Sequence, residues 1–260
     1  MNEGFLRAAV EVVTLARGAS LAVPVQDIDQ WQKADQSVVT AADLAVEQLL
    51  RAELTKRFPD HGLQGEEFPD ERPEARYQWR MDPIDGTLSF SRGIPLWGTI
   101  LGLFHDGQPL VGVIDHPGLG TTFHAARGVG AFCGDRRLAL TDLADDDAVV
   151  ADMLAVADRA QFVKVGRADV YDRVCAAHPR VRTYPDCFGH TLAASGAVAA
   201  IVDYGLRSWD LAASQVLIEE AGGRYEVVAS HAMADGGTTY DVVCGRPRAV
   251  TWVLERLAHA

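Results

Sequence analysis

No run of about 18 apolar residues occurs anywhere in the 260-residue chain, so nothing in it reads as a membrane-spanning helix. The opening stretch MNEGFLRAAVEVVTLARGAS carries an acid at Glu3 and lacks the basic start, apolar run and cleavage site of a signal peptide. A cytoplasmic location is the expectation. Cysteine is sparse: Cys133, Cys175, Cys187 and Cys244 lie far apart with no CxxC pair. That spacing argues against a zinc knuckle and predicts free, buried thiols. The histidines show no HxH or HExxH spacing, so no zinc site is expected either. Positive charge is in deficit, with 24 Lys and Arg against 36 Asp and Glu and a net charge of -12. Such a surface repels nucleic acid, and no basic run with interleaved aromatics appears. Internal repeats and low-complexity tracts are also absent.

What remains is an ordinary globular composition, 48% hydrophobic, enough for one large or two modest cores. Apolar residues at helical spacing predict a long amphipathic helix over 4–22 and another from Thr40 to about Phe58. Short apolar runs follow: YQWRM, LWGTILGLF, PLVGVID and TTFHAA, separated by Gly, Pro and Asp as in strands joined by turns. His105-Asp106-Gly107-Gln108 reads as a hairpin turn. The acidic patch DLADDD (142–147) reads as a solvated loop crossing between two halves. Beyond it AVVADML, VRTYP, AIVDYG and DVVCG read as strands. RADVYDRVCAA, FGHTLAASGAVAA, DLAASQVLIEEAGG and PRAVTWVLERLAH read as helices. The expectation is an α+β half over 1–145 and an α/β half over 146–260, forming one compact unit.

Three short acidic motifs stand out: Gly65-Glu66-Glu67, the stretch MDPIDGTLSF over 81–90, and Trp209-Asp210. Each has a plain structural explanation alone. Asp82 caps a helix with Pro83 in its first turn, the Glu pair sits on an exposed loop, and Asp210 caps the helix after it. Together they say more. If Glu66, Asp82, Asp85 and Asp210 converged, about four negative charges would share one cleft and repel strongly. Mg2+ relieves this, because it takes carboxylate and water oxygens. Roughly three Mg2+ would balance about four protein charges and two from a phosphate monoester. Pro83 would help turn the chain sharply so that both aspartates face one pocket, with the Ile84 carbonyl between them. Gly86 lets the backbone approach a phosphate, and the amides of Gly86 and Thr87 can point at its oxygens.

In this order, GEE, DPIDGT and WD resemble the signature of the inositol monophosphatase superfamily of Mg2+-dependent, lithium-sensitive phosphatases. The resemblance runs from Lys33 to the helix after Asp210. It implies a five-layered αβαβα sandwich, usually a homodimer, with two to three Mg2+. It makes Glu66, Asp82, Asp85, Asp210 and the Ile84 carbonyl the metal ligands. The upstream SVVTAAD matches the family's VTxxD element; on its own, Thr40-x-x-Asp43 is a capping box. The resemblance adds a role for Asp43, hydrogen-bonding Thr87 and with it orienting or deprotonating the attacking water, with Glu66 assisting. Lys33 falls where the family often carries a lysine. Arg80 departs from the pattern, standing where an apolar residue is usual; it either lies on an exposed face or braces a carboxylate.

Two substrates compete, histidinol phosphate (a step of histidine biosynthesis) and inositol-1-phosphate. The stretches DPIDGTLSFSRGIPLWGTILGL, PLVGVIDHPGLG and YPDCFGHTLAASG look like the histidinol-phosphate branch. Histidinol carries an ammonium and an imidazole, whereas inositol is a neutral polyol. Asp186 and Asp203 could pair with an ammonium, beside Asp85 and Asp210, and Asp203 could equally accept hydroxyl hydrogen bonds. Asp186 is equally a turn residue after Tyr184-Pro185. His190 alone reads as structural. A catalytically silent, metal-binding relative would have lost a ligand or Thr87, and none is lost. Bisphosphate 3′-phosphatases of the superfamily are longer and carry insertions this chain lacks.

Overall fold

The computed structural model describes residues 1–23, 30–32, 38–233 and 236–258. In chain order the first half comprises α1 (Asn2–Leu21), β1 (Gln30–Gln32), β2 (Val38–Thr40), α2 (Ala41–Arg57), β3 (Gly62–Gly65) and β4 (Tyr77–Asp85). It continues through α3 (Thr87–Phe90), β5 (Gly98–His105), β6 (Gln108–His116), β7 (Thr121–Ala126), β8 (Gly130–Cys133) and β9 (Arg136–Leu138). The second half opens with α4 (Asp146–Ala151), β10 (Leu154–Val156), α5 (Arg159–Lys164), α6 (Ala168–Ala177), β11 (Val181–Thr183) and α7 (Asp186–Ser195). It closes with β12 (Ala200–Leu206), α8 (Ser214–Glu220), β13 (Arg224–Ala232), β14 (Thr238–Gly245) and α9 (Pro247–Ala258).

β3 to β9 form a seven-stranded sheet in sequence order, antiparallel except for the parallel β3–β4 pair. The second sheet has the order β11-β10-β12-β14-β13, parallel on the β11 side and antiparallel on the β13 side. Strand alternation sends successive side chains into different layers. Leu101 and Leu103 of β5 pack with Leu6, Val12 and Val13 of α1 and Val46, Leu50 and Leu54 of α2. Ile100 points the other way, into a layer holding Ala193 of α7, Val216 and Leu217 of α8, and Ile201 and Cys244 of the second sheet. That sheet's far face, with Val202, Tyr204 and Val243, is covered by Phe162, Val170 and Trp252 from α5, α6 and α9. Both faces of both sheets are therefore buried, and the result is the αβαβα sandwich.

Several local expectations change. AVVADML is not a strand: Asp145 caps α4 by accepting from the Ala148 amide at 2.8 Å, and only Leu154–Val156 pairs in the sheet. The acidic patch thus starts a helix, where negative charge favours the helix N-terminus. The small-residue helix stops at Gly196, whose φ of 74° ends it in the left-handed region, and β12 follows. Helix α8 begins at Ser214, so Asp210 belongs to the turn before it and caps nothing there. Strands β1, β2, β3, β8, β9 and β13 and helix α5 escaped the sequence reading; all of these strands but β13 have four residues or fewer, too short to show a period. The Asp106-Gly107 hairpin is present, with φ of 49° and 77°, as a type I′ turn requires. Lys33 lies outside the described residues.

Candidate active site

Asp82 and Asp85 lie three apart on β4, and in a regular strand they would face opposite sides of the sheet. The register against β5 slips by one residue between them, from Asp82 opposite Ile100 to Asp85 opposite Gly98. This bulge, not a sharp turn at Pro83, brings both carboxylates to one side. Pro83 has no N–H to give to the ladder, so it sits at the bulge without loss, and its carbonyl accepts from Thr99 Oγ1 at 2.8 Å.

Asp210 comes to the same place from the other half of the chain. Carboxylate oxygens of Asp82, Asp85 and Asp210 lie within 4.8 Å of one another. Each carboxylate is also held by a backbone amide. Ile84 N donates to Asp82 at 3.0 Å, Arg207 N donates to Asp210 at 2.7 Å, and Cys187 N at the start of α7 donates to Asp85. Burial pushes Asp82 and Asp85 well above the usual carboxylate range. The charges of Glu66, Asp85 and Asp210 add to the effect at Asp82, those of Asp186 and Asp210 at Asp85. Asp210 is raised to about 7 by burial and by Glu66. Oriented, closely spaced carboxylates whose neighbours are more carboxylates form a donor set made for hard divalent cations. Glu66, just beyond β3, borders this group through Asp82.

The water-positioning pair expected from the sequence is also assembled. Thr87 Oγ1 lies 3.2 Å from Asp43 Oδ1 and 3.0 Å from the Ile84 carbonyl. Asp43 is buried near the start of α2, where the capping box forms: Thr40 Oγ1 accepts from the Asp43 amide at 3.4 Å and Asp43 accepts from Thr40 N at 2.8 Å. The residue that closes the capping box and the catalytic candidate are thus the same, Asp43. Burial raises Asp43 to about 6. Gly86 precedes α3 with φ of 87°, a conformation side chains disfavour, and a Cβ there would lie 3.0 Å from Asp186 Oδ2.

Asp186 therefore joins the site, at the entrance of α7, itself with φ of 59°. Burial and the nearby Asp203 raise it to about 7. Asp203 does not face the cleft as a free carboxylate. It is 2% exposed and accepts from His190 Nε2 at 3.2 Å. Burial alone would lower His190, but the bond to Asp203 and the adjacent Cys244 outweigh it and carry the imidazole to about 10. Arg80 does neither of the things expected of it. Its guanidinium lies 4.0 Å from the Phe104 ring centroid, half-buried, and burial lowers its pKa. Sequence reasoning missed the three orienting amides, which only the fold brings near. It also missed Glu47 and Arg51, buried polar residues on α2 at four-residue spacing from Asp43. That spacing was the available signal.

The profile of the inositol monophosphatase family matches residues 2–256. The chain belongs to that family. Its relatives are phosphatases, enzymes of the hydrolase class, and are metal-dependent. A histidinol-phosphatase of Chlorobaculum parvum is 36% identical over 199 residues, covering 76% of this chain and 75% of that protein. An inositol-1-monophosphatase of Mesorhizobium japonicum is 32% identical over 204 residues, covering 76% of this chain and 75% of its own. Among solved structures, an inositol monophosphatase from Zymomonas mobilis superposes with a TM-score of 0.81 at 25% identity, covering 98% of each chain. This member of the inositol monophosphatase family has no helix, among the described residues, long and apolar enough to cross a membrane.

Proposed function

We propose that this family member is a Mg2+-dependent phosphomonoesterase that converts histidinol phosphate to histidinol and phosphate, as a cytoplasmic homodimer. The convergence of Asp82, Asp85 and Asp210 within 4.8 Å, beside the Thr87–Asp43 pair, carries the chemical part. Asp82, Asp85, Asp210, Glu66 and the Ile84 carbonyl hold two to three Mg2+. Bound there, the ions would supply the positive charge that polarises phosphoryl oxygens, acidifies the attacking water and stabilises the leaving alkoxide. The amides of Gly86 and Thr87 seat the phosphate oxygens. Thr87 orients the water, and Asp43, raised to about 6, accepts its proton near neutral pH.

The substrate reading is supported by the higher identity to a histidinol-phosphatase, 36% against 32% for the inositol-1-monophosphatase. Chemistry favours it too. Asp186, half-buried beside Gly86 and raised to about 7 by burial, gains most from a cationic leaving alcohol, since an adjacent ammonium stabilises the carboxylate. Asp203 acts behind it, through His190.

The test is a phosphate-release panel with Mg2+, comparing histidinol phosphate, inositol-1-phosphate and simple sugar phosphates. The expected preference for histidinol phosphate in kcat/KM is about tenfold or more. A similar preference for inositol-1-phosphate overturns the substrate assignment, and activity that survives complete chelation overturns the metal chemistry.

A further inference from the structure

Glu47 is a carboxylate with no exposure at all, on the middle turn of α2. It accepts from the Glu67 amide at 2.8 Å and from the Phe68 amide at 3.2 Å. Arg51, one turn further, donates to it at 2.8 Å and to the carbonyls of Phe68 and Pro69 at 2.9 and 3.1 Å. Arg51 also reaches Glu71 at 3.2 Å. Both sides of the loop backbone after Glu66 are thus fastened to one helix, donors on Glu47 and acceptors on Arg51. At Gly65 a Cβ would collide with the Glu47 carboxylate, so the loop can lie this close only because residue 65 has no side chain.

We infer that Glu47, braced by Arg51, is the positioning residue that sets Glu66 against Asp82 for metal binding. The Glu67 N–H belongs to the planar peptide unit that starts at the Glu66 Cα, so fixing that N–H fixes the base of the Glu66 side chain. The same helix holds Thr87 through Asp43, one turn earlier. Asp43, Glu47 and Arg51 lie at successive four-residue steps on one buried stripe of α2, directly beside the apolar stripe formed by Val46, Leu50 and Leu54. One rigid element therefore sets the separation between the water-positioning pair and the Glu66 carboxylate. This rests on the reading of Glu66 as a metal ligand proposed above.

The test titrates Mg2+ alone, by calorimetry, into the wild type, Glu66→Gln and Glu47→Gln, with thermal unfolding recorded for each without metal. Glu47→Gln keeps the shape but presents an amide N–H to one of the loop N–H groups. Its Mg2+ affinity is expected to fall about 10- to 100-fold, as when a partner that orients a metal ligand is removed. In turnover, kcat should fall more than KM rises. If Glu66→Gln loses affinity while folded Glu47→Gln binds like the wild type, the inference is overturned and the ligand reading stands. If Glu66→Gln itself binds like the wild type, the ligand reading fails and takes the inference with it. Should Glu47→Gln not fold, hydrogen exchange in the metal-free wild type decides. Glu67 and Phe68 amides protected like the core of α2 support the clamp, and amides exchanging like an open loop overturn it.

Discussion

Individual carboxylates in this protein are held in surroundings that punish their charge. Asp82 is the extreme case, buried and flanked by Glu66, Asp85 and Asp210. Asp82→Asn is expected to reduce kcat by about 1,000-fold or more at saturating Mg2+, because a carbonyl replaces a charged ligand. At a pH high enough to ionise Asp82, the same change should raise the melting temperature of the metal-free protein, since it removes one of several repelling charges. Phosphate release and thermal unfolding, each with and without Mg2+, check both halves. At Thr87, valine preserves the shape and removes the hydroxyl that lies 3.2 Å from Asp43. Thr87→Val should lower kcat about 100-fold with little change in KM, the mark of a group acting on the nucleophile. These residues were legible as a set in GEE, DPIDGT and WD. Which oxygen faces inward was not, because that depends on amides of Cys187 and Arg207 that approach only in the folded chain.

Elements position the site by close approach. The turn that carries Asp210 leads into Ala212 and Ala213, which lie directly on Gly102 of β5 and Gly112 of β6. A Cβ at Gly102 would collide with the carbonyl of Ala212. Gly102→Ala should therefore push the Asp210 turn away, cost about 1–3 kcal/mol as overpacking does, and weaken Mg2+ binding. Denaturant unfolding and Mg2+ titration measure the two effects. A substitution elsewhere in the same sheet separates packing from positioning. Leu103→Ala, on the opposite face against α1 and α2, should cost about 2–5 kcal/mol and leave Mg2+ affinity near wild type. The long helices and the central strands were readable from their periods. The bulge at Pro83 was not, because it is defined by the pairing of β4 with β5 and not by β4 alone.

For the whole molecule, the cluster couples stability to pH and, on the function proposed above, to metal. Asp43 is raised to about 6, and Asp186 and Asp210 to about 7, all by burial first. In the unfolded chain these carboxyls titrate near about 4. Between roughly pH 4 and 7 the folded state thus binds more protons than the unfolded one, and stability falls as pH rises through that window. Their contribution is fully present below about pH 4 and lost above about pH 7. Metal-free protein should accordingly melt at a lower temperature at pH 8 than at pH 5.5. Added Mg2+ should raise the melting temperature more at pH 8, where the carboxylates are ionised to receive it. Scanning calorimetry at both pH values, with and without Mg2+, checks the sign. An equal Mg2+ effect at the two pH values would remove the carboxylate cluster as its source.

The sequence by itself determined the chemistry available: acids at three separated places, a Thr-x-x-Asp capping box, and glycine where backbone must come close. Those are properties of residue type and local spacing, which survive without knowledge of the fold. Tertiary structure decided how the acids are used. It gave Asp203 to His190, aimed Asp82 and Asp85 to one side through a bulge, and tied the Glu66 loop to Glu47 across 20 residues of chain. Such pairings join groups distant in sequence, and only the burial of both faces of two sheets brings them into hydrogen-bond range.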